Sequence, residues 1–134
     1  LCVDTDWRAR YNDRSQHPED DAEKVMAEGD RVLQVNRGIS SSEASGEYIG
    51  VARFNAEGAG SLREHYHQAR AAHDGTVWKE GTLFAKAYLI HLYQEMLVTG
   101  LHFHMVTTDG EYMEIDTEED FALANARWPD EYGG

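Results

Sequence analysis

Glu111-Tyr112-Met113-Glu114-Ile115-Asp116-Thr117-Glu118-Glu119-Asp120 is the stretch on which the reading of the fold turns. Glu111 to Ile115 has the make-up of a short strand. Thr117 then stands at the N-cap of a helix, and Asp120, three residues on, completes a capping box with Asp in place of the usual Glu. Glu118, Glu119 and Asp120 put negative charge at the positive end of that helix's dipole. The helix carries Phe121, Leu123 and Ala124 and stops before Pro129. A strand that gives way to a helix, with the carboxylate of Asp116 at the junction, is an α/β arrangement in which strand ends host chemistry.

Working outward, Asp109-Gly110 marks a tight turn after a strand over Leu101–Thr107. The strongest helix runs from near Thr82 to Thr99, with Leu89, Leu92, Tyr93, Met96 and Leu97 on one face and Gly100 at its C-terminal cap. Asn55 is the N-cap of a helix over Ala56 to about Ala72, with Leu62, Tyr66 and Ala69 on one face. Glu47 to Phe54 is β-branched and aromatic, the pattern of a strand. Upstream, Ala22–Met26 and Arg31–Val35 flank Glu28-Gly29-Asp30 as a hairpin. Leu1-Cys2-Val3 reads as the end of a buried strand, with Asp4 and Asp6 just beyond it. The order strand, hairpin, strand, helix, helix, strand, strand, helix predicts an α/β or mixed α/β fold within a single domain spanning residues 1–134.

Composition narrows the partners. Lys and Arg number 12 against 25 Asp and Glu, a net charge of −13. Nucleic-acid affinity comes mostly from Lys and Arg, so a phosphate backbone is excluded as a partner, and anionic membrane surfaces with it. The apolar stretches carry Lys86, His91, Gln94 and Glu95, which rules out a membrane span. Cys2 is the lone cysteine, and Leu1-Cys2-Val3 runs at once into Asp4 and Asp6, unlike a secretory signal. Both features predict a reducing, cytoplasmic setting. His102 and His104 share a strand face, but two ligands do not make a zinc site.

Asp116 has two readings on spacing alone. It either holds a hard cation such as Mg²⁺, which takes one or two carboxylates and leaves its other positions to phosphate and water, or it belongs to the acidic start of a solvated helix. Lys24 likewise is either a phosphate contact or a strand lysine in a cross-strand pair. Trp7 either enters a pocket or packs on the core.

Gly110 to Asp120 resembles the closing signature of sugar-phosphate and phosphocholine-type nucleotidyltransferases: Gly, an aromatic, Glu-Ile-Asp-Thr, then an acidic helix start. Ala22-Glu23-Lys24-Val25 resembles that family's Glu-Lys segment, and Gly46-Glu47-Tyr48-Ile49-Gly50-Val51 its following strand. The helix around Ala87–Met96 and the Gly100 after it are also similar. The nearest likeness is to the cytidylyltransferase-like domain fused to phosphoenolpyruvate mutase in phosphonate metabolism, and it covers nearly the whole chain.

The resemblance implies a Rossmann-like, GT-A-like mixed sheet with flanking helices. It implies Mg²⁺-dependent transfer of a nucleotidyl group, cytidylyl from CTP, to a phosphocholine-like or aminoalkylphosphonate acceptor, with release of pyrophosphate. Carried over by position, Asp116 is a Mg²⁺ ligand, Lys24 meets the acceptor's phosphate or phosphonate, and Glu23 lines the same pocket. Asp4, Asp6 and Trp7 resemble the family's stretch after a central strand and enter the acceptor pocket. One departure is sharp: no Gly-x-Gly-x-x-Arg loop precedes the Glu23-Lys24 segment, and the one run of that spacing, Gly58-Ala59-Gly60-Ser61-Leu62-Arg63, falls within the helix expected from Ala56. The expectation is a C-terminal portion whose N-terminal nucleotide-binding part is absent, holding the acceptor half and one metal ligand and inactive alone. The competing readings are a sugar-1-phosphate nucleotidyltransferase and a non-catalytic binding or oligomerisation domain.

Overall fold

The structure, a computed structural model, describes residues 1–128. A five-stranded mixed sheet has the order β3-β2-β4-β1-β5, with β1 at Cys2–Asp4, β2 at Lys24–Glu28, β3 at Arg31–Val35, β4 at Gly46–Tyr48 and β5 at Val106–Thr108. Only β1 and β5 run parallel; the other neighbours are antiparallel. The helices among the described residues are α1 (Ala56–His73), α2 (Leu89–Val98) and α3 (Glu118–Arg127). The chain is therefore mixed α/β. No helix among the described residues is long and apolar enough to cross a membrane.

Local signals are honoured where they are self-contained. Gly29, at φ +60°, turns the β2–β3 hairpin, a conformation that suits a residue without Cβ. The Asn55 side chain accepts from the Gly58 N–H at 2.7 Å and starts α1. Helix α2 ends in a Schellman arrangement: the Leu101 N–H donates to Met96 O and the Gly100 N–H to Leu97 O, both at 3.0 Å. The Thr117–Asp120 capping box forms in full.

Other elements depart from the expected boundaries. The strand expected to reach Phe54 is laddered only to Tyr48, because Gly50 adopts φ +75° and breaks the regular register. Beyond that point, Val51 O still accepts from the Cys2 N–H at 2.9 Å. Helix α2 starts at Leu89 rather than near Thr82, since Ala87 and Tyr88 are extended after a 3₁₀ turn at Phe84–Lys86. Its buried face is Ile90, Leu92, Tyr93 and Met96, while Leu89 is exposed. Glu111–Ile115 joins no ladder; Glu111 at φ +55° turns the chain away from the sheet. Asp116 thus follows an extended connection and not a strand. Pro129 lies outside the described residues.

Leu101–Met105 is not laddered as a strand either, but it ties the sheet's two ends together. Phe103 O accepts from the Val32 N–H of β3 at 3.0 Å, while His104 O accepts from the Leu1 amino group at 2.6 Å. The core inside this curl is Val3, Val25, Val32, Val35, Tyr48, Ile90, Tyr93, Met96 and Phe103. Each such side chain contributes about 1.5–3 kcal/mol by leaving water. Helix α2 lies over β3 and packs against α1.

Candidate functional site

One end of the sheet carries the residues of interest. The loop after β1 folds back as a 3₁₀ turn, Trp7–Arg10, which buries Trp7 against Tyr11 and Ala22. Trp7 is 3% exposed and meets Tyr11 edge-on, so it is a packing residue of this loop. Asp4, at the end of β1, is fully buried. Its Oδ1 accepts from the N–H groups of Asp6 and Gly110, both at 2.9 Å, and its Oδ2 lies 3.2 Å from Arg10 Nη2. Arg10 also pairs with Glu47, to which the Tyr11 hydroxyl donates. Asp4 thus organises loops from inside. Asp6 is exposed and borders a shallow cleft with Thr5, Arg8 and the Ser41–Ser42 turn.

A second cleft of about 160 Å³ is lined by His17, Glu23, Arg37, Glu47, Glu114 and Asp116, with Asp21 and Tyr48 completing it. Glu23 is placed there because its carbonyl accepts from the Tyr48 N–H at 2.8 Å, extending the pairing of β2 and β4 by one residue. Burial lifts the Glu23 carboxyl to about 7, opposed by Arg37 and assisted by the negative charges of Glu114, Glu47 and Glu80. Burial also raises Glu47, against the hydrogen bond from Tyr11 and the charge of Arg10. The lining is electronegative, with Arg37 and His17 as its basic side chains.

Asp116 stands at the rim, its side chain 57% exposed and its Oδ2 3.7 Å from His17 Nδ1. It is held through the main chain: the Asp116 N–H donates to Asp120 Oδ2 at 3.1 Å. Asp120 in turn accepts from Arg14 Nε at 2.7 Å, and Arg14 Nη2 lies 2.7 Å from His17 Nδ1. Burial by itself would raise Asp120, but hydrogen bonds from Arg14, Thr117 and Asp116 hold it at about 2. Asp116 and Glu23 therefore share one cleft.

Lys24 does not open into it. The residue is 2% exposed, and its Nζ donates to the main-chain carbonyl of Arg37 at 2.9 Å. Across the strands it is registered with Glu47. The cation that reaches the cleft is Arg37, which lies over the Tyr88 ring with Cζ 3.9 Å from the centroid. The roles of Arg10, Arg37 and Glu47 depend on partners distant in the chain, and no local spacing marks them.

A divalent cation tests these residues on donor chemistry. Asp116 is an open carboxylate with Glu114 two residues away on the same cleft, which suits an ion that draws its other oxygens from phosphate and water. Among the described residues no three His, Cys, Asp or Glu side chains converge as an all-protein metal cage. A scan against protein-family models matched no family, and searches of curated proteins and of solved structures likewise found no match.

Proposed function

We propose that this chain is the acceptor side of a Rossmann-like nucleotidyltransferase, receiving a small phosphorylated or phosphonylated amine for cytidylyl transfer from CTP. The observation that carries this reading is the meeting of Glu23 and Asp116, more than ninety residues apart in sequence, on one electronegative cleft with an arginine in its wall. A sugar 1-phosphate carries no cation to offset a carboxylate-rich lining. A cationic amine needs carboxylates, and carboxylates dominate this lining. On this reading the nucleotide-binding loop is not among these residues: the one Gly-x-Gly-x-x-Arg run they contain, Gly58-Ala59-Gly60-Ser61-Leu62-Arg63, lies within α1 and forms no loop.

In the reaction, an acceptor oxygen attacks the α-phosphorus of the nucleotide, the new P–O bond forms as the bond to the bridging oxygen breaks, and pyrophosphate leaves. Such a transfer depends on alignment and on stabilising charge that builds on the phosphoryl oxygens. Mg²⁺ supplies that stabilisation when bound, and Asp116 would hold it. The remaining tasks fall to the chain itself. Asp120 holds the main chain of Asp116 at the rim, and the carboxylates of Glu23 and Glu114 face the acceptor's amine.

Calorimetric titration of the 134-residue chain with 2-aminoethylphosphonate, phosphocholine and glucose 1-phosphate tests the acceptor class. The two cationic acceptors bind at least tenfold more tightly than the sugar phosphate on this reading. Preference for the sugar phosphate would overturn it in favour of a sugar-1-phosphate enzyme. Absence of binding by all three would favour a non-catalytic domain.

A further inference from the structure

The guanidinium of Arg37 is held in place and, among the described residues, left without a hydrogen-bond acceptor. Its Cζ sits over Tyr88, 3.9 Å from the ring centroid. Its nearest carboxylate partner, Asp21, stands 3.8 Å from Nη1, an ion-pair distance too long for a hydrogen bond. Nε is buried with no partner among the described residues. The backbone beneath it is clamped by the buried ammonium of Lys24, which is committed to the Arg37 carbonyl. A guanidinium offers five N–H donors in a planar fork that matches a phosphonate or phosphate face. Stacking on an aromatic ring fixes its plane without using those donors.

We propose that Arg37 is the residue that binds the acceptor's oxyanion, a phosphonate or phosphate, and that Lys24 is a positioning residue acting through the Arg37 carbonyl. This rests on the acceptor reading above and alters its division of labour. Glu23, Glu47, Glu114 and Asp116 line the same cleft as Arg37, so a free dianion is disfavoured, while a molecule bearing its own ammonium group places that cation among the carboxylates. The ligand is therefore a short zwitterion, anionic at the Arg37 end and cationic at the Glu23 end.

Two probes separate the ends: 2-aminoethylphosphonate, and ethanolamine, which keeps the amine and lacks the phosphonate. Both are titrated into the 134-residue chain and its variants. Arg37→Gln is expected to weaken 2-aminoethylphosphonate binding at least tenfold, the loss typical of hydrogen bonds to a charged group, and to leave ethanolamine within twofold of wild type. Arg37→Lys keeps the charge without the fork and recovers only part of the affinity; it also carries the test if the glutamine variant fails to fold. Lys24→Met weakens the phosphonate selectively. Wild-type affinity for 2-aminoethylphosphonate in both Arg37 variants would overturn the assignment and leave the acceptor reading intact. Equal losses for both probes would make Arg37 a packing residue and overturn it as well. A wild-type chain that binds neither probe would defeat both the assignment and the acceptor reading.

Discussion

Arg14 Nε donates to Asp120 Oδ1 at 2.7 Å, joining the loop after β1 to the first turn of α3, with side chains 3% and 0% exposed. The same carboxylate caps α3 through the Thr117 N–H and holds the Asp116 N–H. Removing one partner of a buried pair strands the other charge, at about 3–5 kcal/mol. Asp120→Ala is expected to destabilise the chain by that amount in urea denaturation, and a loss under about 1 kcal/mol would contradict this role.

The pair also sets an acid limit. In the folded chain Asp120 titrates at about 2, against an ordinary 3.8, so the unfolded chain takes up its proton more readily. Its stabilisation is complete above about pH 4 and disappears as the pH falls toward 2. That difference is worth about 2 kcal/mol. The stability gap between wild type and Asp120→Asn should close over this window, and a gap constant from pH 5 to pH 2 would refute the assignment.

At Gly46, β4 packs tightly against β1. A Cβ there would lie 2.5 Å from the Asp4 carbonyl oxygen and 2.5 Å from Val3 Cγ1. Backbone cannot yield as a flexible side chain does, so Gly46→Ala is expected to cost about 1–3 kcal/mol. An unchanged urea midpoint would show that the strands separate more easily than this packing implies.

Glu23 works in the opposite sense to Asp120. Its carboxyl is raised from 4.5 to about 7 by burial and neighbouring carboxylates, with Arg37 opposing. The folded chain therefore holds this proton more tightly than the unfolded one, which favours folding below about pH 4.5. That advantage is lost as the pH rises through 7. Glu23→Gln, neutral at every pH, should melt progressively higher than wild type as the pH rises from 5 to 8. Parallel melting curves across that range would remove the argument for a strained carboxylate in the cleft.

Elements whose causes lie within four residues were legible in the sequence: the Asn55 cap, the Gly100 ending of α2, the Gly29 hairpin and the Thr117–Asp120 box. Elements that depend on remote partners were not. Glu111–Ile115 has strand composition, yet the Asp4 carboxylate holds the Gly110 N–H and Glu111 leads the chain off the sheet. Leu89 fits the apolar period of α2 and lies on the face of Leu92, Tyr93 and Met96, but as the first residue of the helix it projects beyond the core and is exposed. Within the cleft, Glu23 and Asp116 were marked by their motifs. Lys24 was marked too, but its burial and its bond to the Arg37 carbonyl follow from the turn after β3. Arg37 itself carries no local signal, because its stacking on Tyr88 is a tertiary contact.

The claim that this cleft serves nucleotidyl transfer is tested most directly by pyrophosphate release from CTP, Mg²⁺ and 2-aminoethylphosphonate. The comparison is between wild type and Asp116→Asn, each made as the full product of its coding region. The account predicts release by the wild type and at least a hundredfold less from the variant, whose amide keeps the shape and loses the charge. Equal rates in the two proteins, or no release from either, would contradict it.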